Sequence, residues 1–272
     1  MISTIQVPFR NRSLTAITNN IKGATSILFL HGNSCSSKSW EHQFNSTLGD
    51  KYNLIAFEFL GFGDSDRSES PADDYSITAL KESVMAVVNH FRLTDYYLVG
   101  HSLGGHVIAQ TVDQLPGCKG MMSIGAPPIS LPPRIDDIYL KTAPTNVMFF
   151  KDCTDEDLQV VEDNFFYSAD RMPEFFKSDF KKTDGYARES IGAILGSDQF
   201  QDEVNVLSKS QVPKAFICGE HERAINNRYY DTLDFPNTWQ NKLHEIPNAA
   251  HFPQWENPEA FNELVERFIE GN

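Results

Sequence analysis

The sequence predicts one α/β domain: a mostly parallel central sheet flanked by helices and interrupted by a helical insertion. Three observations support this prediction. Short apolar runs alternate with helical patterns up to residue 128, the alternation stops over residues 129–200, and it resumes over residues 201–272. Strands that alternate with amphipathic helices form parallel sheets. A chain of 272 residues is long enough to bury the core of such a domain.

The individual elements follow from the spacing of apolar residues. Residues 3–9 and 13–18 predict an opening hairpin. Compact apolar runs that are typical of buried parallel strands cover residues 26–30, 53–57, 96–99, 121–124, 212–218 and 242–246. We expect helices over residues 37–48, 76–91, 107–115 and 258–269, the last three from apolar positions at helical spacing.

Residues 129–200 differ from the rest of the chain. They hold many charges, eight of the twenty phenylalanines and no clear strand-like run. We therefore expect residues 1–128 and 201–272 to form the core, and residues 129–200 to form a helical cap.

The composition argues against several classes of partner. The net charge of −14 gives no indication of the basic surface that nucleic acids or anionic membranes require. No run approaches the roughly 20 apolar residues of a membrane-spanning helix, and the N-terminus lacks an apolar stretch of signal-peptide length. The four cysteines have no metal-type spacing. We therefore expect a cytoplasmic protein with free thiols and without a metal or other cofactor.

A serine between two glycines follows the apolar run at 96–99. Residues 100–104 read Gly-His-Ser-Leu-Gly. In a nucleophile elbow the chain turns so sharply from strand to helix that side chains at the flanking positions would clash, and glycine removes the clash. Ser102 is therefore the candidate nucleophile. The alternative is a serine that only caps the following helix.

A serine hydroxyl needs a base, and in this arrangement an acid and then a histidine follow it along the chain. The last histidine, His251, lies in the loop between the final strand and the final helix. Residues 219–223 read Gly-Glu-His-Glu-Arg after the strand at 212–218, and Glu222 is favoured as the acid because of its place beyond the strand tip. The other acids within reach are Glu220, Asp231 and Asp234.

An oxyanion hole needs two backbone N–H groups, one of them from the residue after the nucleophile. That residue is Leu103. The second donor comes from the loop after the run at 26–30, which reads His-Gly-Asn-Ser from residue 31, and we assign it to Asn33.

These motifs, in this order, resemble the α/β-hydrolase superfamily. Within it, the chain is similar to N-acyl-homoserine lactonases that use a serine triad with glutamate as the acid. The matching stretches are residues 31–34, 102–106, 125–128, 183–185 and 219–222. The resemblance implies the α/β-hydrolase fold, a triad of Ser102, Glu222 and His251, and oxyanion contacts from Asn33 and Leu103.

The expected function is a serine hydrolase that cleaves a small carboxylic ester or a lactone, such as an N-acyl-homoserine lactone, through an acyl-enzyme. Carboxylesterase, thioesterase, C–C hydrolase and perhydrolase activities share the triad and stay open, as does a ligand-binding protein without catalysis. We expect Phe149, Phe166 and Tyr167 to contact the substrate. Tyr167 is the tyrosine nearest to residues 160–161, where the resemblance implies a substrate-contacting tyrosine in the cap.

Overall fold

Eight strands form one sheet in this computed structural model, which describes residues 1–141, 144–168 and 172–271. The strands are β1 (Ser3–Phe9), β2 (Arg12–Thr18), β3 (Ser26–Leu30), β4 (Asn53–Phe57), β5 (Tyr96–His101), β6 (Cys118–Ile124), β7 (Lys214–Gly219) and β8 (Thr238–Ile246). Their order in the sheet is β1-β2-β4-β3-β5-β6-β7-β8. Pairing of β2 with β1 and β4 is antiparallel, and all other neighbours are parallel. The predicted fold class is confirmed.

Helices follow β3, β4, β5, β6 and β8 along the chain. They are α1 (Glu41–Phe44), α2 (Thr47–Lys51), α3 (Pro71–Asp74), α4 (Ile77–His90), α5 (Leu103–Thr111), α6 (Ile135–Ile138), α7 (Asp155–Phe165), α8 (Glu174–Lys182), α9 (Gly185–Ala193), α10 (Glu203–Lys209), α11 (Pro253–Glu256) and α12 (Pro258–Glu270). Short 3₁₀ turns cover Ser37–Trp40, Val112–Gln114, Thr145–Phe149, Ile194–Gly196 and Asn227–Thr232.

The single helix predicted over residues 37–48 is wrong. The chain there forms a 3₁₀ turn at Ser37–Trp40 and then two short helices, α1 and α2. Ser46 accepts a hydrogen bond from the N–H of Leu48 and so begins a new helix. A capping side chain of this kind satisfies a helix N-terminus and interrupts any helix that runs into it.

Two apolar cores lie on the two faces of the sheet. Leu28 and Leu30 of β3 belong to one core, and Ile27 and Phe29 belong to the other. Successive strand residues point to opposite faces, and every residue of β3 is buried. Helices therefore cover both faces, and the carboxyl ends of the parallel strands meet at one edge.

The described part of the 129–200 segment is helical and contains no strand beyond a single bridge between Tyr139 and Ile225. Its division from the core as a separate cap stays a prediction. In the part of the chain that the structure describes, no helix has both the length and the apolarity to cross a membrane.

Candidate active site

Ser102 lies in the sharp turn between β5 and α5. Its backbone has φ 49° and ψ −112°, a conformation that a residue with a side chain rarely adopts. Gly104 permits the turn, because a Cβ at this position would lie 2.3 Å from the carbonyl oxygen of Leu30. The Ser102 hydroxyl makes no capping bond to α5. The alternative of a helix-capping serine is therefore wrong.

The imidazole of His251 is bonded to the carboxylate of Glu222. Nδ1 of His251 donates to Oε2 of Glu222 over 2.7 Å, and both side chains are buried. Burial by itself raises the pKa of Glu222, but His251 and the N–H groups of Ala224 and Ile225 hold that pKa below its usual value. An ionised Glu222 keeps the proton on Nδ1 and leaves a lone pair on Nε2 of His251.

The main chain of His251 is held from two directions. Nε2 of His101 donates to the carbonyl oxygen of His251 over 2.8 Å, and the N–H of His251 donates to the carbonyl oxygen of Phe165 over 3.0 Å. Burial keeps the pKa of His101 well below its usual value, so this ring stays neutral. The end of α7 and the residue before Ser102 thus fix the position of the histidine loop.

Asn33 lies in the loop after β3 and is buried. Its Nδ2 donates to the carbonyl oxygen of Met148 over 2.5 Å, and its Oδ1 accepts from the hydroxyl of Ser34. Among the described residues, the backbone N–H groups of Asn33 and Leu103 have no acceptor. Both donors are thus available to a ligand, as an oxyanion hole requires.

The buried guanidinium of Arg188, on α9, supports the same loop. Its Nε donates to the hydroxyl of Ser34 over 3.0 Å, and its other nitrogens donate to the carbonyl oxygens of Phe150 and Phe180. Burial lowers the pKa of Arg188 from its usual value. A chain of hydrogen bonds therefore runs from α9 through Ser34 to Asn33.

Ser102 and His251 line one cavity at the carboxyl edge of the sheet. Its polar lining consists of Asn33, His101, Ser102, His106, Tyr139 and His251. Most of the remaining wall is apolar, and it includes Ile129, Met148, Phe149, Phe165, Ile191 and Phe200. No lysine, arginine, aspartate or glutamate of the described residues lines it. The described chain also holds no group of His, Cys, Asp and Glu arranged to bind a metal ion.

Of the three residues predicted to contact the substrate, Phe149 lines the cavity but Phe166 and Tyr167 do not. Helix α7 ends with Phe165 in the cavity wall, and the extended backbone at Phe166 turns the next ring away. Phe166 stacks on Phe252 with ring centroids 4.5 Å apart, and Tyr167 lies against His221. Phe165 therefore lies in the cavity wall where the sequence predicts Phe166.

Three polar lining residues, His101, His106 and Tyr139, were not predicted as site residues from the sequence. The spacing of four residues between Ser102 and His106 gave a usable signal, because side chains four apart lie on the same side of a helix. Tyr139 reaches the cavity through its bridge to Ile225, a contact between distant segments that leaves no local pattern.

A protein-family model for the alpha/beta hydrolase fold matches residues 25–258 of this chain. The chain belongs to this family. Among curated members, this α/β-hydrolase is 23% identical over 270 residues to the AB hydrolase superfamily protein YisY of Bacillus subtilis, covering 94% of this chain and 95% of YisY. It is 25% identical over 270 residues to 2-hydroxy-6-oxononadienedioate/2-hydroxy-6-oxononatrienedioate hydrolase 2 of Pseudomonas putida. That match covers 92% of this chain and 89% of the relative.

Two solved structures share the fold of this chain. A structure of the N-acyl homoserine lactonase AidH, a mutant complexed with N-hexanoyl homoserine, superposes with a TM-score of 0.92 at 22% identity, covering 100% of this chain and 97% of that one. A putative aryl esterase from Burkholderia cenocepacia gives a TM-score of 0.80 at 17% identity, covering 99% and 98%.

Proposed function

We propose that this α/β-hydrolase cleaves a carboxylic ester or a lactone through an acyl-enzyme on Ser102. The observation that carries the proposal is the bond between His251 and a buried, ionised Glu222 beside the cavity that Ser102 lines. A histidine held in this tautomer can take the proton of a serine hydroxyl. Family membership and the hydrolase names of several relatives agree with this chemistry.

In the proposed reaction the Ser102 oxygen attacks the substrate carbonyl while Nε2 of His251 accepts the hydroxyl proton. The oxyanion accepts hydrogen bonds from the N–H groups of Asn33 and Leu103, which have no acceptor among the described residues. His251 then protonates the leaving oxygen. Water attacks the acyl-enzyme with His251 as base, and Ser102 regains its proton when the acid leaves. For a lactone, the product is the ring-opened hydroxy acid.

The lining of the cavity favours a neutral substrate with an apolar acyl chain. Its wall is mainly aliphatic and aromatic and carries no charged lysine, arginine, aspartate or glutamate among the described residues. Apolar pockets select ligands by the surface they bury. An N-acyl-homoserine lactone meets this description, and AidH, with which this chain shares its fold, has been solved with such a ligand.

We further propose that the 129–200 segment acts as the cap that selects the acyl group. Met148, Phe149, Phe165 and Ile191 of this segment line the cavity. We expect kcat/KM to rise as the acyl chain lengthens from four to about ten carbons, because burying each methylene is favourable by about 0.8 kcal/mol. Equal kcat/KM values along this series would contradict selection by this segment.

A second candidate, suggested by the Pseudomonas putida relative, is hydrolysis of a dienedioate. The name describes a dicarboxylate, and burying two carboxylates without partners is costly. The described cavity wall offers no lysine or arginine to pair with them. We therefore favour the neutral ester or lactone over the dicarboxylate.

A fluorophosphonate probe and a substrate panel test the proposal. The panel contains acyl-homoserine lactones, p-nitrophenyl esters, acyl thioesters and a 2-hydroxy-6-oxo-dienedioate. We expect labelling at Ser102, turnover of esters or lactones, and a loss in kcat on the order of 10⁴ or more in Ser102→Ala. Turnover retained in Ser102→Ala contradicts the nucleophile. Absence of both labelling and turnover supports a ligand-binding protein without catalysis.

A further inference from the structure

Besides His251, a further histidine of the cavity wall, His106, is bonded to a fully buried carboxylate. Nδ1 of His106 lies 3.0 Å from Oε2 of Glu203, and the two side chains are 17% and 0% exposed. Glu203 is the first residue of α10. The other ring nitrogen of His106, Nε2, makes no hydrogen bond to any described residue.

Tyr139 lines the same cavity and is a second polar group without an assigned role. Burial, with the nearby charge of Glu203, raises the pKa of Tyr139 to about 12, so its hydroxyl keeps its proton at neutral pH. Among the described residues that hydroxyl has no hydrogen-bond partner. It can therefore both donate to a ligand and accept from one.

A packing role alone does not explain His106. Both oxygens of Glu203 have other donors: Oε1 accepts from Nε2 of Gln110 over 3.2 Å, and Oε2 accepts from the N–H of Ile129 over 2.9 Å. These bonds already join α5, α10 and the chain after β6. A polar ring at position 106 adds a hydrogen-bonding nitrogen to an otherwise largely apolar wall.

We propose that His106 and Tyr139 form a subsite for an oxygen substituent on the acyl chain of the substrate. The proposal rests on the ester or lactone hydrolysis proposed above. With Nδ1–H donated to Glu203, Nε2 of His106 is available as an acceptor. A substrate hydroxyl would donate to that nitrogen and accept from Tyr139, whereas a keto oxygen would accept from Tyr139 alone. The favoured substrates are therefore hydroxyacyl compounds, followed by ketoacyl and then unsubstituted ones.

The helix sets the distance between this subsite and the reacting carbonyl. Ser102 immediately precedes α5, and His106 lies one turn into that helix. An oxygen bound by His106 would therefore lie within the first few carbons of the acyl chain. We place the substituent at the third carbon.

The kinetic test compares ethyl 3-hydroxyhexanoate, ethyl 3-oxohexanoate and ethyl hexanoate. We expect kcat/KM to be about fivefold higher for the hydroxy ester than for the unsubstituted one, the effect of one or two net hydrogen bonds. His106→Leu and Tyr139→Phe should each bring this ratio close to one. His90→Gln, a histidine exposed at the end of α4, should preserve it. The subsite is overturned if the wild type shows equal kcat/KM for the hydroxy and unsubstituted esters. It is also overturned if both variants keep the wild-type ratio.

Binding to Ser102→Ala separates this inference from the proposed hydrolysis. The same preference should appear in the dissociation constants of the three esters, whatever the nucleophile is. Equal dissociation constants for the three esters, together with fluorophosphonate labelling of the wild type, overturn the subsite but leave the proposed hydrolysis. Tighter binding of the hydroxy ester without labelling or turnover overturns the hydrolysis but leaves the subsite. Tyr139→Phe removes only a hydroxyl, so it decides the question if His106→Leu does not fold.

Discussion

His251 is held by residues that transfer no proton themselves. His101 and Phe165 bond its main chain, and Gly125 supports its ring. Gly125 has φ +57°, and a Cβ at this position would lie 2.9 Å from Cε1 of His251. A methyl group there would displace the ring, and small displacements of a catalytic group cost much of the rate.

We expect Gly125→Ala to lower kcat for a p-nitrophenyl ester about 100-fold, with little change in KM. Gly23→Ala is the matched control, because Gly23 also has a positive φ, of +80°, but no atom lies within 4 Å of its added Cβ. Steady-state kinetics and circular dichroism of the two variants provide the comparison. Equal kcat values for both would show that contact with the His251 ring does not matter.

Glu222 fixes the tautomer of His251, and its charge is stabilised by that ring and by backbone N–H groups. Glu222→Gln preserves the size of the side chain and removes the charge. We expect kcat to fall by about 10² to 10⁴, since an amide can hold the ring in the wrong tautomer. Glu220→Gln, whose carboxylate is 53% exposed, should retain its kcat. The assignment of the acid fails if the two variants behave alike.

At the scale of elements, helix α9 and the loop after β3 form one unit. Arg188 donates to Ser34 and to the carbonyl oxygens of Phe150 and Phe180, and Ser34 in turn bonds Asn33. Removing the guanidinium takes this donor from the buried Ser34 hydroxyl and Phe180 carbonyl oxygen, and from the partly buried carbonyl oxygen of Phe150. The 129–200 segment is thus coupled to the loop that contains Asn33, the proposed oxyanion donor.

Arg188→Met should lower the free energy of unfolding by about 2–4 kcal/mol, because several buried acceptors lose a partner. It should also lower kcat more than it changes KM, since Asn33 loses its support. Arg67→Met is the control, because Arg67 also donates to a backbone carbonyl, that of Lys182, but in an exposed position. Chemical denaturation and ester kinetics measure both effects. Unchanged kcat in a destabilised Arg188→Met would separate folding from catalysis and remove the proposed coupling.

The sequence predicts elements well where the pattern is local. The buried strands and the amphipathic helix α4 follow from spacing alone, and Ile77, Leu80 and Val84 are buried as expected. The division of the predicted helix at 37–48 depends on a single cap at Ser46, which apolar spacing does not show. The order of Ser102, Glu222 and His251 along the chain sufficed to propose the triad.

The lining of the cavity was harder to predict because it depends on contacts between distant segments. Phe165 and Phe166 are neighbours with opposite orientations, and only the end of α7 decides which ring reaches the cavity. Tyr139 arrives through its bridge to Ile225. Packing of this kind has no period in the sequence, so the specificity of the site is less predictable than its chemistry.

At the scale of the whole molecule, a buried lysine couples stability to pH. Lys214 begins β7, is fully buried, and donates from Nζ to the carbonyl oxygens of Ser210 and Pro236. Burial lowers the pKa of Lys214 from 10.5 to about 8. Below pH 8 both folded and unfolded chains carry this charge, and folding bears the full cost of burying it.

The unfolded chain binds more protons at this group between about pH 8 and 10.5, so its contribution to stability rises with pH there. The free energy of unfolding of the wild type relative to Lys214→Met should therefore increase by about 1–3 kcal/mol across that window. Urea titrations of both proteins at pH 7.5 and pH 10 measure the change. A difference that is independent of pH contradicts a lowered pKa at Lys214.

We propose that Ser102 carries the acyl group during turnover. The most direct measurement is peptide mass spectrometry of enzyme quenched with acid during hydrolysis of p-nitrophenyl butyrate. We expect a butyryl group on the peptide that contains Ser102, and no adduct in Ser102→Ala. Turnover without any acyl adduct, or an adduct on another residue, would contradict it.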